Sequence, residues 1–134
     1  MAAGGQRGLV PSWVDFLNEE ASSLGHLEPP LPKIALRGHV RDRIGESFDF
    51  PLELELRGLV TSRRGDDLEV VPEGLTRDAA ALAGPILVRS SRPLESGSVL
   101  KLRVRVMDPR RENPDVPGIR VEVLAMDVLV AVEP

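Results

Sequence analysis

Apolar and polar residues alternate along much of this chain. Ile34, Leu36, Gly38 and Val40 alternate with Ala35, Arg37, His39 and Arg41. Leu52, Leu54 and Leu56 alternate with Glu53, Glu55 and Arg57. Leu100, Leu102, Val104 and Val106 alternate with Lys101, Arg103 and Arg105, and Ile119, Val121 and Val123 with Arg120 and Glu122. A period of two, with one apolar and one charged face, predicts half-buried antiparallel sheet. Arg64-Gly65-Asp66 has turn chemistry and predicts a hairpin between Val60 and Leu68. Ile86 to Val88 reads as a short strand. Asp127 interrupts the last strand, which resumes at Val128-Leu129-Val130.

The helical period is rarer. Thr76 is a good N-cap, and Arg77 to Ala83 predict one short helix that ends at Gly84-Pro85. Near the start, Pro11-Ser12 opens a pattern with Trp13, Phe16 and Leu17 on one face and Asp15, Glu19 and Glu20 off it. That helix should stop after Leu24-Gly25. Residues 1–10 are Gly-rich and polar and predict a disordered start. Glu28-Pro29-Pro30-Leu31-Pro32 excludes helix and inner strand and predicts an extended polyproline linker. The expected organisation is an N-terminal arm over residues 1–32 and a β-barrel body over residues 33–134. The fold class predicted is all-β: a small closed antiparallel barrel with one short helix, since five to seven strands with open edges would invite aggregation.

Composition narrows the classes. One domain of 134 residues can bury a core without staples. There is no cysteine, which excludes disulfides and thiolate metal sites and fits a reducing, cytoplasmic setting. Met1 to Trp13 lacks the apolar core of a signal peptide, and no run is long enough to span a membrane. The net charge of −4 argues against a surface that grips nucleic acid everywhere, but leaves room for a local basic face. Fifteen of the seventeen basic residues are arginines, against Lys33 and Lys101. Arginine forks suit phosphate and carboxylate; a bias of the genome or a thermophilic source gives the same composition.

The order of features resembles the oligonucleotide/oligosaccharide-binding (OB) barrel, in the form found in bacterial single-stranded DNA-binding proteins. Pro32 to Asp42 resembles that family's first strand, Gly97 to Val106 its fourth, and Ile119 to Pro134 its last strand with the residues after it; together they cover about a third of the chain. The resemblance implies a closed barrel and single-strand binding without catalysis. The family's binding face carries stacking aromatics, whereas these strand faces carry Arg103, Arg105, Glu53 and Glu55.

Two connections stand out as a ligand groove. Arg41 to Pro51 is expected to join the first two strands of the body and holds Arg41, Arg43, Phe48 and Phe50. Met107 to Gly118 joins the last two and holds Arg110 and Arg111 among three prolines. Single strands need cations that follow phosphates and flat rings that stack bases. The expected nucleic-acid-binding set is therefore Arg41, Arg43, Phe48, Phe50, Arg103, Arg105, Arg110 and Arg111. A core role for the two phenylalanines, and carboxylate partners for the loop arginines, are the competing readings. His26 and His39 stand alone, so no metal site or histidine-based catalytic group is expected; no Gly-rich phosphate loop is present, and no cofactor is expected.

Two functions of different class follow. One is a non-enzymatic single-stranded nucleic-acid-binding domain in replication, repair or recombination, acting as a homo-oligomer. The other is a structural barrel, subunit-cementing or virion-decorating. In either, the face of Trp13, Phe16 and Leu17 is too small to fold alone and must dock on the body, on a neighbouring subunit or on another protein, the last two being the partners expected for residues 11–32.

Overall fold

The computed structural model describes residues 12–24, 32–83, 85–112 and 118–134. The expectations for residues 1–10 and for the run Glu28 to Leu31 lie outside them. The described residues hold three helices and five strands in the order α1 (Trp13–Leu24), α2 (Lys33–Ser47), β1 (Leu52–Arg64), β2 (Asp67–Pro72), α3 (Arg77–Ala83), β3 (Ile86–Arg89), β4 (Val99–Val106) and β5 (Ile119–Val130).

The strands form one closed barrel in the order β1-β2-β3-β5-β4. β1, β2 and β3 are joined antiparallel, and β4 returns to lie beside β1. That spatial order, four-one-two-three, is a Greek key. β5 closes the ring between β4, to which it is antiparallel, and β3, to which it is parallel at Ile86↔Ile119 and Leu87↔Arg120. The expected barrel is therefore present. Its sheet is mixed rather than antiparallel, and beside the two helices expected, at Trp13–Leu24 and Arg77–Ala83, the described residues hold a third, Lys33–Ser47.

β1 serves two neighbours. Leu52 to Leu59 pair with β4, and Gly58 to Arg64 pair with β2. Gly58 stands where the partners overlap, opposite both Pro72 and Leu100. A Cβ at Gly58 would run into the Val70 side chain, so only glycine lets β2 cross this closely. Val60, Leu68, Val70, Val88, Leu100, Leu102, Val104 and Val106 fill the barrel. Each such side chain contributes about 1.5–3 kcal/mol on burial. Leu94, from the β3–β4 connection, is fully buried with them.

The largest correction concerns residues 33–47. Lys33 to Ser47 is helix α2, not the first barrel strand. The buried positions are Val40, Arg41 and Ile44, with Leu36 and Arg37 partly covered one turn earlier. That is a helical spacing, with an arginine standing in its buried face. The resemblance to a first OB strand over Pro32 to Asp42 therefore falls on a helix; the other two segments do form β4 and β5. Arg41 to Pro51 consequently joins no two strands. It is the last turns of α2 and the lead into β1, where the Phe50–Pro51 peptide bond is cis. The real β1–β2 connection is the Arg64-Gly65-Asp66 turn, with Gly65 at φ 61°.

α1 does not reach away from the body. Trp13, Phe16 and Leu17 keep 4%, 6% and 3% of their surface, and with Ala21 they join the same core cluster as Val40, Ile44 and Ala79. Phe48 closes the group, 5.9 Å from the Trp13 ring and edge-on to Phe16 at 5.2 Å. Asn18 pins the helix to α3: its amide donates to the Gly74 carbonyl (2.9 Å), and its side-chain oxygen accepts from the Thr76 N–H (2.8 Å). Thr76 caps α3 as expected, its hydroxyl accepting from the Ala79 N–H. The face assigned to a partner is thus spent on the chain's own barrel.

Candidate nucleic-acid interface

The β4–β5 connection begins with a rigid turn. Pro109 to Arg111 form one turn of 3-10 helix, capped by Asp108. The Asp108 carboxylate accepts from the Arg110 backbone N–H (3.0 Å) and from its guanidinium (2.7 Å). These bonds hold the Asp108 carboxyl below the usual aspartate range and raise Arg110. The guanidinium lies against α2, where a Cβ on Gly45 would overlap it.

Behind the turn, Arg41 reaches up from α2. It is 2% exposed, and its Nη2 donates to the Gly118 carbonyl at 2.9 Å. Burial lowers its pKa, while Glu112 opposes that shift. Glu112 itself is half-buried. Desolvation pushes its carboxyl up, and Arg41 and Arg120 pull it down by less. Arg41 is therefore a strut under the loop and not a phosphate contact, because no solvent-side ligand can reach it.

In front of the turn lies a cleft of about 350 Å³, lined by Phe50, Pro51, Met107, Asp108, Arg111 and Glu112. Phe50 is half-buried against the core. Met107 is 57% exposed. Arg111 is exposed and makes no ion pair among the described residues. The cleft thus offers an apolar floor with a ring and a soft thioether, and an exposed cation, Arg111, at its rim.

Of the predicted residues, the fold brings Phe50 and Arg111 into this cleft and Arg110 to its edge. It separates the others. Phe48 packs on Trp13 and Phe16, so its ring belongs to the core. Arg43 is paired with Glu20 (3.2 Å) and Glu46 (3.4 Å). Arg103 and Arg105 lie on the outer face of β4 between two acidic strands: Arg103 meets Glu53 at 3.0 Å, and Arg105 meets Glu122 at 3.3 Å. Pro51, Met107, Asp108 and Glu112 were not among the predicted contacts. The Asp108-Pro109 step after a strand end was a readable turn signal for them.

The outer face of β2 and β3, a common ligand face of five-stranded Greek-key barrels, is different here. None of the four aromatic residues lies on these strands. Asp67 engages Arg120 (3.2 Å) and Arg89 (3.9 Å), and Glu69 engages Arg64 (3.8 Å). Among the described residues no group of three or more His, Asp or Glu side chains is placed to hold a metal ion, and no helix is long and apolar enough to cross a membrane. Comparison of the chain with protein-family models, with curated proteins and with solved structures finds no match in any of the three.

Proposed function

We propose that this chain is a non-enzymatic OB-type domain that binds single-stranded nucleic acid, with its contact centred on the cleft at the β4–β5 connection. The observation that carries the reading is the meeting of Phe50, Met107 and Arg111 around one concave site, at the loop that flanks the groove in OB barrels. A base can lie on the phenyl ring and thioether while its phosphate meets Arg111. The Greek-key path of five strands supports the same class. The arginines of the strand faces contribute less, since carboxylates already hold them.

The test is a titration with fluorescent single-stranded oligonucleotide at low and moderate salt. Saturable binding that weakens with salt and is reduced by Arg111→Ala supports the reading. Absence of binding at low salt, where the electrostatic part is strongest, overturns it.

A second reading has its own observation. Leu59, Val99 and Val130 stand opposite one another on three adjacent strands. Leu59 and Val130 are 46% and 51% exposed. A contiguous apolar row of this kind suits a structural barrel that cements subunits. Concentration-dependent sedimentation that Val130→Lys abolishes would favour it.

A further inference from the structure

The cleft at the β4–β5 connection holds two carboxylates, and their surroundings set them apart. Asp108 is committed. It accepts from the Arg110 backbone N–H (3.0 Å) and from the Arg110 guanidinium (2.7 Å), and these bonds keep it ionised well into acid. The two opposite charges lie in direct contact, so together they present little net charge to a ligand.

Glu112 is placed differently. It is half-buried, and it shares the cleft wall with Arg111. Arg41 faces it from α2, and Arg120, which also meets Asp67 at 3.2 Å, faces it from β5 with a bond from its backbone N–H. Asp108 is the other carboxylate on the same wall, and no histidine lines the cleft among the described residues. Burial outweighs both arginines, so Glu112 takes up a proton more readily than an ordinary glutamate. One carboxylate of the cleft is thus fixed in its charge and the other is free to change it.

The charge of Glu112 bears on the same ligand as Arg111. With Glu112 ionised, a phosphate at Arg111 has a carboxylate beside it, and repulsion offsets part of the attraction. With Glu112 protonated that repulsion is gone, and the buried Arg41 loses the anion that offsets its field. A single proton therefore makes the cleft more positive from two sides.

We propose that Glu112 is a pH-sensitive control on this cleft: its carboxylate opposes the phosphate that Arg111 receives, and a proton taken up from solvent relieves the opposition, so that single strands are held more tightly in mildly acid solution. The inference rests on the reading of the cleft as a nucleic-acid site. Coupling of this kind is reciprocal, so a bound strand must make Glu112 hold its proton more tightly by the same factor.

The probe is a short oligothymidylate with a rhodamine label, titrated into the full-length chain at low salt from about pH 8 to about pH 5, a window in which thymine and the phosphodiesters keep their charge and histidine is the ordinary side chain that titrates. Circular dichroism at each pH checks that the chain stays folded. Binding should tighten roughly fivefold as Glu112 protonates, the worth of one charge at contact distance in water. Glu112→Gln should bind at the alkaline end as tightly as the parent does in acid, a comparison that does not depend on how the chain tolerates acid. The carbon-13 resonance of the Glu112 carboxyl should titrate at higher pH with the strand bound than without it. No binding at any pH overturns the nucleic-acid reading and this inference together. Binding that is equally tight across the range, or a pH dependence that survives in Glu112→Gln and so belongs to another group such as His39, overturns the inference and leaves the reading standing. A Glu112 titration indifferent to the bound strand overturns it in the same way.

Discussion

Side chains of the same type do different work here, and single substitutions should separate them. Phe48 contacts two rings in the core, so Phe48→Ala should cost about 3–5 kcal/mol of folding stability. Phe50 faces the cleft. Phe50→Ala should weaken oligonucleotide binding by about 1–3 kcal/mol with a smaller loss of stability. Denaturant midpoints and binding isotherms on both variants distinguish the roles. The arginines divide likewise. Arg111→Ala should leave the midpoint unchanged and flatten the salt dependence of binding by roughly 0.7 in log–log slope. Arg41→Ala should lower stability by about 1–3 kcal/mol, because the Gly118 carbonyl loses its donor.

Two carboxyls at the loop give stability opposite pH dependences. Asp108 is lowered, so its bond to Arg110 stabilises the fold above the ordinary aspartate range and is lost as pH falls through the lowered value. Glu112 is raised by burial. The folded chain holds its proton more tightly than the unfolded chain, so its contribution is present at acid pH and lost as pH rises through the raised value. Asp108→Asn should therefore differ from the parent at neutral pH and converge with it in acid. Glu112→Gln should converge with the parent in acid and gain on it above the Glu112 pKa. Urea midpoints across pH check both.

At the scale of elements, strands were legible and their surroundings were not. β1, β4 and β5 show a clean two-residue period because one face of each is wet. The Arg64-Gly65-Asp66 turn and the Thr76 cap carry their own local chemistry. α2 was misread because its alternation over Ile34 to Val40 also fits a strand, and because its buried face includes Arg41. The contact with Gly118, 77 residues later, accounts for a buried arginine there. The cleft was half legible: Phe50 and Arg111 were in view, but Arg41 and Phe48 were indistinguishable from surface candidates until packing placed them. α1 read as an arm because its apolar face is small. Packed on α2, α3 and Phe48, it is part of the core, so removing residues 1–24 should destabilise the barrel strongly rather than release an independent body. Melting of the truncated chain measures this. Gly118 ties the same elements from the other side. A Cβ there would come within 2.7 Å of the Pro85 carbonyl, which accepts from the Ile119 N–H. Gly118→Ala should cost about 1–3 kcal/mol.

For the whole molecule, the balance of charge matters more than its sum. An acidic chain that binds a polyanion must do so through few contacts, so the overall salt slope of oligonucleotide binding should be shallow. The fifteen arginines do not contradict this, because most of those described sit beside carboxylates. The clearest case is the outer face of β4, where Lys101, Arg103 and Arg105 run between Glu53 and Glu55 on β1 and Glu122 and Asp127 on β5. Exposed pairs of this kind contribute little at room temperature, since holding the charges together costs almost as much hydration and side-chain freedom as the attraction returns. Hydration of ions becomes less favourable on heating, so the same rows gain weight as the temperature climbs. The banded sheet is thus a reserve against heat. Urea midpoints at 25 °C should hardly change between dilute buffer and high sodium chloride, whereas the thermal midpoint should fall in the salt that screens the bands.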